Sequence, residues 1–544
     1  MSTHRVRTRL PRGSTTAPLD VLTDPNDVAP FLEDAAHYPG GRTPAVIRPR
    51  NEAELAATLA RADAILPVGA QSSLTGGATP RGETVVSLAR LVDLEIQSPA
   101  RLRAGPGVTL TAIRESLKGR GCSYPPVPTY EGATVGGIVS TDAAGAATFK
   151  YGTTRRWVRA LTIMLASGEV LELERDAVTA RNGVFEVLTE RGPVELRVPG
   201  YRMPPVPKHS AGYHAEPDLD LIDLFIGAEG TLGIVTSVTL DLLPAAPPVA
   251  LVLIGVPSEP QAVALAETLR RRSEATRRDG DVRGLDIVAI EHMDRRCLEL
   301  VREDGADRRL KVTVSPEVEV MLLAQLELRE ELPAAQLHEE VAQSLSGSAP
   351  DTPITRLWQL LDDEHLLDTT ELVSPTDTAR LADLLRFREA VPEAVHRRVG
   401  HAQRTVHPTI EKTAADMIVP FARLSESVAL FRDAFRSRGL DHAIWGHISD
   451  ANLHPNLLPH SAEDILLARD AILECGRAVV AMGGSPLAEH GVGRNPTKQQ
   501  LLTLLHGEEG IAEMRAVKQV LDPDWKLAPG VLFGRTAQTE RGKG

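Results

Sequence analysis

Cysteine is scarce: three residues in 544, Cys122, Cys297 and Cys475, with none of the paired spacing of zinc ribbons, redox motifs or iron-sulfur clusters. That excludes a disulfide scaffold and fits a reducing compartment, so a cytoplasmic location is expected. No uninterrupted apolar run is long enough to cross a bilayer, which leaves only a peripheral membrane association open. Positive charge is in deficit, 60 Lys and Arg against 73 Asp and Glu for a net charge of -13, which argues against nonspecific nucleic-acid binding. An apolar secretory segment is missing from the start of the chain. Arg5, Arg7, Arg9 and Arg12 stand there with no acidic residue before Asp20, so residues 1–20 read as a disordered basic tail, with an Arg-rich transit peptide as the alternative.

What is present is globular in character, 42% hydrophobic and 24% charged, and a chain this long favours two or more domains. Asn51 is a helix N-cap with Glu54 three residues on, followed by Leu55 and Leu59 at helical spacing. Ile65 to Val68 reads as a strand entering a Gly, Ser and Thr-rich loop, and a second helix starts near Thr109 with Leu110, Ile113 and Leu117. Alternating apolar residues on both sides of Ser167-Gly168 predict a hairpin, and Val238, Leu240 and Leu242 another half-buried strand. Three prolines between Leu243 and Pro248 mark a domain boundary near residue 246. Beyond it, a strand at Leu251 to Val256 precedes a helix through Leu265 and Leu269, and a helix through Val428 and Phe431 precedes a strand at Ala443 to Trp445. This suits helices packed on an antiparallel sheet. The stretch from about Glu317 to Arg398 reads as mostly helical.

Three segments are dense in glycine: P-V-G-A-Q-S-S-L-T-G-G-A-T-P from Pro67, G-A-T-V-G-G-I-V-S-T-D-A-A-G-A-A-T-F-K-Y-G from Gly132, and F-I-G-A-E-G-T-L-G-I-V from Phe225. Loops of this kind expose backbone N–H groups and admit a phosphate, although one such loop alone is as well explained by a surface turn. Together they resemble the FAD-binding domain of the vanillyl-alcohol oxidase and p-cresol methylhydroxylase flavoprotein superfamily. The resemblance implies an α+β fold: a two-part FAD-binding domain over 21–245, a substrate and metal cap domain with an antiparallel sheet over 246–505, and a segment at 506–544 that returns to the FAD domain. It places Pro67, Gly69, Ala70, Gln71, Ser72, Ser73, Leu74 and Gly76 around the pyrophosphate. Thr134, Gly137, Ser140, Asp142, Gly145, Tyr151, Gly152, Glu229, Gly233 and Ile234 fall along the rest of the cofactor. Gln71 stands where the family has a glycine and Asp142 where it has an asparagine.

Near the other end, G-H-I-S-D-A-N-L-H-P-N from Gly446 and A-E-H-G-V-G from Ala488 concentrate imidazole and carboxylate. His447 and His454, seven apart, would face opposite ways on an unbroken strand, but Ser449, Asp450 and Asn452 favour a turn between them. Two imidazoles and a carboxylate suit Zn, Mn or Fe with coordination positions left open. These motifs resemble the FAD-linked oxidase family that includes D-lactate dehydrogenase, the glycolate oxidase catalytic subunit and D-2-hydroxyglutarate dehydrogenase. By that resemblance His447, His454 and Glu489 are metal ligands, Asn456 and Arg388 bind substrate, and His490 is the general base. The family's substrate lysine is Ala414 here, a departure that bears most on a dicarboxylate substrate, and Lys412, two residues earlier, is a further candidate for substrate binding.

The implied activity is FAD-dependent oxidation of a D-2-hydroxy acid to the 2-oxo acid, with electrons leaving to a quinone, a cytochrome, an electron-transfer flavoprotein or oxygen. A homodimer is left open. Two alternatives stand beside it: another flavoprotein of the superfamily, such as an alkylglycerone-phosphate synthase or a phenolic alcohol oxidase, and a noncatalytic FAD-binding subunit.

Overall fold

In the computed structural model, residues 3–15, 18–125, 130–244, 247–345 and 350–535 are described. The chain divides into two compact units: Met1–Gly145 with Gly152–Ala245 and Ser485–Gly544, and Ala146–Tyr151 with Ala246–Gly484.

The first unit is built on the predicted helix and strand. Asn51 accepts the Glu54 N–H at 3.0 Å and opens the helix Glu52–Arg61. The helix turns Leu55 and Leu59 inward, against Ile65, Val86, Met164, Ile234 and Leu527. Burying each such aliphatic side chain stabilises the fold by roughly 1.5–3 kcal/mol. Strands Val46–Ile47, Thr84–Ser87 and Ile65–Val68 run parallel, with Val21–Leu22 antiparallel at the edge. A five-stranded antiparallel sheet lies in the order Val170–Glu174, Val158–Met164, Ile234–Asp241, Arg101–Ala104, Leu94–Ser98. Its first two strands are the predicted hairpin. Lys526 O and Ala528 N both hydrogen-bond Ile65, so the chain's last described segment is stitched onto the strand that feeds the first glycine-rich loop.

The second unit carries a seven-stranded antiparallel sheet in the order Thr370–Val373, Val249–Val256, Val320–Glu327, Ile287–Asp294, His442–His447, Asn452–Leu457, Met417–Ile418. The helix Glu259–Asp279 starts at Ser258, whose hydroxyl accepts the Gln261 N–H, and stops at Gly280 in the left-handed conformation.

Three expectations need correction. Arg5–Arg7 is not a disordered tail: it pairs in parallel with Val184–Thr189, and the neighbouring arginines are neutralised by Glu186 and Glu52. The stretch read as mostly helical contains an interior strand of the large sheet, Val320–Glu327. It is buried nearly throughout, so it lacks the alternation that marks a half-exposed strand. Residues 485–505, expected in the cap, group with the first unit.

Candidate functional site

The turn predicted between the two histidines exists. Strand His442–His447 passes through a 3-10 turn, Ile448–Asp450, into strand Asn452–Leu457, with Trp445 opposite His454 and His447 opposite Asn452. The imidazole centroids come to 5.5 Å in an edge-to-face arrangement. Ala451 closes the turn at φ +61°, a conformation that costs a non-glycine residue about 1 kcal/mol. The Ser449 hydroxyl accepts the Ile290 N–H at 3.1 Å and ties the turn to the neighbouring strand.

Each imidazole is backed by a carboxylate that sequence reasoning missed. Glu291, opposite His447 in register, sits 3.1 Å from His447 Nδ1, and Asp416 Oδ1 lies 3.3 Å from His454 Nδ1. Asp416 also accepts the Asn452 amide at 3.1 Å. For His447 the outer carboxylate on Nδ1 leaves Nε2 as the ligand atom, the pattern seen around metal-binding histidines, so these residues fit a divalent ion. Arg388, from the helix Thr378–Thr405, places its guanidinium 3.0 Å from Glu291 and 2.9 Å from Glu389. Burial pushes the Glu291 carboxyl up, but the charges of Arg388 and His447 outweigh it and hold it at about 2. Asn456 is buried; its amide N–H donates to the His454 carbonyl at 2.8 Å, and its Oδ1 has no partner among the described residues. Ala414 pairs directly with Asn456 in an antiparallel bridge. Lys412 is half-buried two residues earlier.

In the first unit the glycine-rich segments converge. A Cβ on Gly69 would collide with the Thr134 hydroxyl and lie 3.8 Å from Gly137, so the first and second segments touch only because residue 69 has no side chain. Thr134 Oγ1 is buried without a partner among the described residues. Such a side-chain-free approach beside an open hydroxyl fits a phosphate-bearing cofactor. Gln71 adopts φ +52°, and its amide donates to the carbonyls of Phe31, Glu33 and Ala78 at 3.1, 3.1 and 3.3 Å. Asp142, at φ +47°, accepts from Arg155 N and Nε at 2.9 and 3.1 Å, which accounts for a carboxylate in place of the family's amide. Gly233 meets Ile163 and leads into Ile234, the start of a central strand. Tyr151 belongs to the second unit, where its hydroxyl donates to Glu327.

The E-H-G-V-G segment also lies in the first unit. The Lys208 ammonium, fully buried, donates to Glu489 Oε2 at 2.8 Å, and His490 Nε2 lies 3.6 Å from Glu489 Oε1. The two oxygens of Glu229 each accept a backbone N–H, from Val492 and Gly493, at 2.8 Å. Burial outweighs these bonds and raises the Glu229 carboxyl to about 7. The third glycine-rich segment therefore holds the loop that follows His490. Lys208 sits in an irregular proline-flanked stretch with no periodic signal, which is why sequence reasoning passed over it.

Comparison with known proteins adds to this geometry. Residues 250–532 match the model described as FAD linked oxidases, C-terminal domain, and residues 43–174 match the FAD binding domain. The chain is 29% identical to a D-2-hydroxyglutarate dehydrogenase of Xanthomonas citri pv. viticola, over 95% of this chain and 94% of that protein. It is 27% identical to a D-lactate dehydrogenase of Archaeoglobus fulgidus, over 89% and 90%. It is 26% identical to the glycolate oxidase subunit GlcD of Bacillus subtilis, over 91% and 90%. Among solved structures, a 4-ethylphenol oxidase from Gulosibacter chungangensis shares the fold, with a TM-score of 0.62 at 15% identity over 95% of both chains.

Proposed function

The chain belongs to the FAD-linked oxidase family, and from that premise we propose that it oxidises a D-2-hydroxy acid to the 2-oxo acid, with a divalent ion helping to hold the substrate. The observation that carries the reading is the hairpin that pairs His447 with His454, with Glu291 hydrogen-bonded to His447 and Asp416 3.3 Å from His454. A noncatalytic subunit has no need of that arrangement, and a phenolic substrate has no hydroxy-carboxylate pair to chelate.

His447 and His454, with Glu489, would hold the ion, and the first-unit loops around Gly69, Thr134 and Glu229 would hold FAD. Bound, the ion supplies a Lewis acid that lowers the pKa of a substrate hydroxyl, and FAD supplies a two-electron acceptor. The protein's own part is proton transfer and orientation. His490, partly exposed beside Glu489, accepts the hydroxyl proton, a task suited to an imidazole near neutral pH. Asn456 offers its open Oδ1 to a substrate donor. Arg388 attracts the substrate carboxylate while paired to Glu291.

Ala414 beside Asn456 narrows the substrate: without a cation at that position, a second carboxylate on the substrate loses an ion pair worth about 1–3 kcal/mol, or roughly 5–150-fold. The reading therefore favours short D-2-hydroxy monocarboxylates over dicarboxylates. Steady-state kcat/KM for D-lactate, glycolate and D-2-hydroxyglutarate with an artificial acceptor tests it. D-Lactate or glycolate should lead by tenfold or more, and a clear preference for D-2-hydroxyglutarate would reverse the assignment.

A further inference from the structure

We propose that Glu291 is a positioning residue for His447, and that Arg388 acts at the site partly by holding Glu291. The proposal rests on the metal-assisted reading above. Glu291 divides its two oxygens: Oε1 faces His447 Nδ1 at 3.1 Å, and Oε2 faces the Arg388 guanidinium at 3.0 Å. The strand register fixes this arrangement, since Glu291 and His447 are direct partners in the sheet and Trp445 and Met293 form the next pair on the same face. Glu291 is 7% exposed and Arg388 11%, so the chain Arg388, Glu291, His447 runs through the interior of the second unit, where water cannot substitute for a lost partner.

The consequence is a fixed tautomer. With its Nδ1 hydrogen given to Glu291, His447 carries its lone pair on Nε2 and cannot rotate without breaking the bond. The carboxylate also makes the imidazole a stronger donor toward a cation. Arg388 prevents Glu291 from swinging away from His447. Asp416 Oδ1 lies 3.3 Å from His454 Nδ1, close to the other imidazole.

The test is a zinc dissociation constant for the full-length, flavin-loaded protein, measured by competition with a chromogenic chelator. Glu291→Gln should weaken zinc binding about 10–100-fold, the usual cost of removing an outer carboxylate. Flavin content should stay unchanged, and Glu389→Gln, which alters Arg388's exposed partner but not His447, should bind as wild type. Should Glu291→Gln fail to fold because Arg388 is left buried and unpaired, the double variant Arg388→Gln/Glu291→Gln removes both charges and should show the same weakening. Wild-type zinc affinity in either variant would overturn the positioning role. A wild-type protein that takes up no zinc, manganese or iron would overturn the metal reading itself, and this proposal with it.

Discussion

Gln71 offers a sharp test of how the pyrophosphate loop is held. It occupies the left-handed region at φ +52°, where the family has glycine, so Gln71→Gly would relieve about 1 kcal/mol of backbone strain. Against that, glycine adds about 0.5–1 kcal/mol of chain entropy to be lost on folding. The amide's contacts to Phe31, Glu33 and Ala78 would also go; with two hydrogens to share among three carbonyls, they contribute about 1–3 kcal/mol. Strain relief and entropy nearly cancel, and the hydrogen bonds decide the sign. Gln71→Gly should destabilise by about 1–3 kcal/mol, and Gln71→Ala, which keeps the strain and loses the bonds, by as much or up to about 0.5 kcal/mol more. Urea unfolding followed by circular dichroism and by release of flavin fluorescence measures both. A Gln71→Gly variant as stable as the wild type would show that the side chain does not brace the loop.

The first unit should lose stability on acidification. Burial first, with the charge of Arg155 added for His209 and His214, lowers these histidines to about 4 and about 2, and burial lowers His506 to about 4. The unfolded chain takes up protons below its imidazole pKa near 6.5 while the folded state does not, so stability falls with pH from there. Each histidine costs up to about 3 kcal/mol by pH 4.5, at 1.36 kcal/mol per unit. Glu229 works the other way: with its folded carboxyl at about 7, it favours the folded state by about 3 kcal/mol as pH falls from 7 toward 4.5. Three histidines outweigh one glutamate, so urea midpoints should drop between pH 6.5 and 4.5, and more steeply in Glu229→Gln; a flat or rising profile would contradict this. His490→Asn should slow flavin reduction by about 10²–10⁴-fold in stopped-flow measurements while zinc affinity stays within a few-fold of wild type. An unchanged rate would remove His490 from the role of base.

The Asn51 cap, the Ser167-Gly168 hairpin and the turn between His447 and His454 were legible because each depends only on local spacing and turn chemistry. The residues that were missed act across the sheet. Glu291 becomes significant only when strand Ile287–Asp294 is laid beside His442–His447, a pairing of residues more than 150 positions apart. Asp416 was visible in the segment that carries Ala414, but its proximity to His454 depends on the edge pairing of Met417–Ile418 with Asn452–Leu457. Val320–Glu327 was misread because an interior strand buried on both faces has no period to distinguish it from a core helix. That Ala146–Tyr151 groups with the second unit is a placement that local sequence does not encode.

The central claim is that a D-2-hydroxy acid reduces the bound flavin with the help of a metal. It is tested most directly by anaerobic absorbance near 450 nm, a general flavin band at about that wavelength, with D- and L-2-hydroxy acids before and after chelation. The account predicts bleaching by a D-2-hydroxy acid and not by its L enantiomer, lost on chelation and restored by added zinc, manganese or iron. A bound flavin that no 2-hydroxy acid reduces, or bleaching indifferent to chelation, would contradict it.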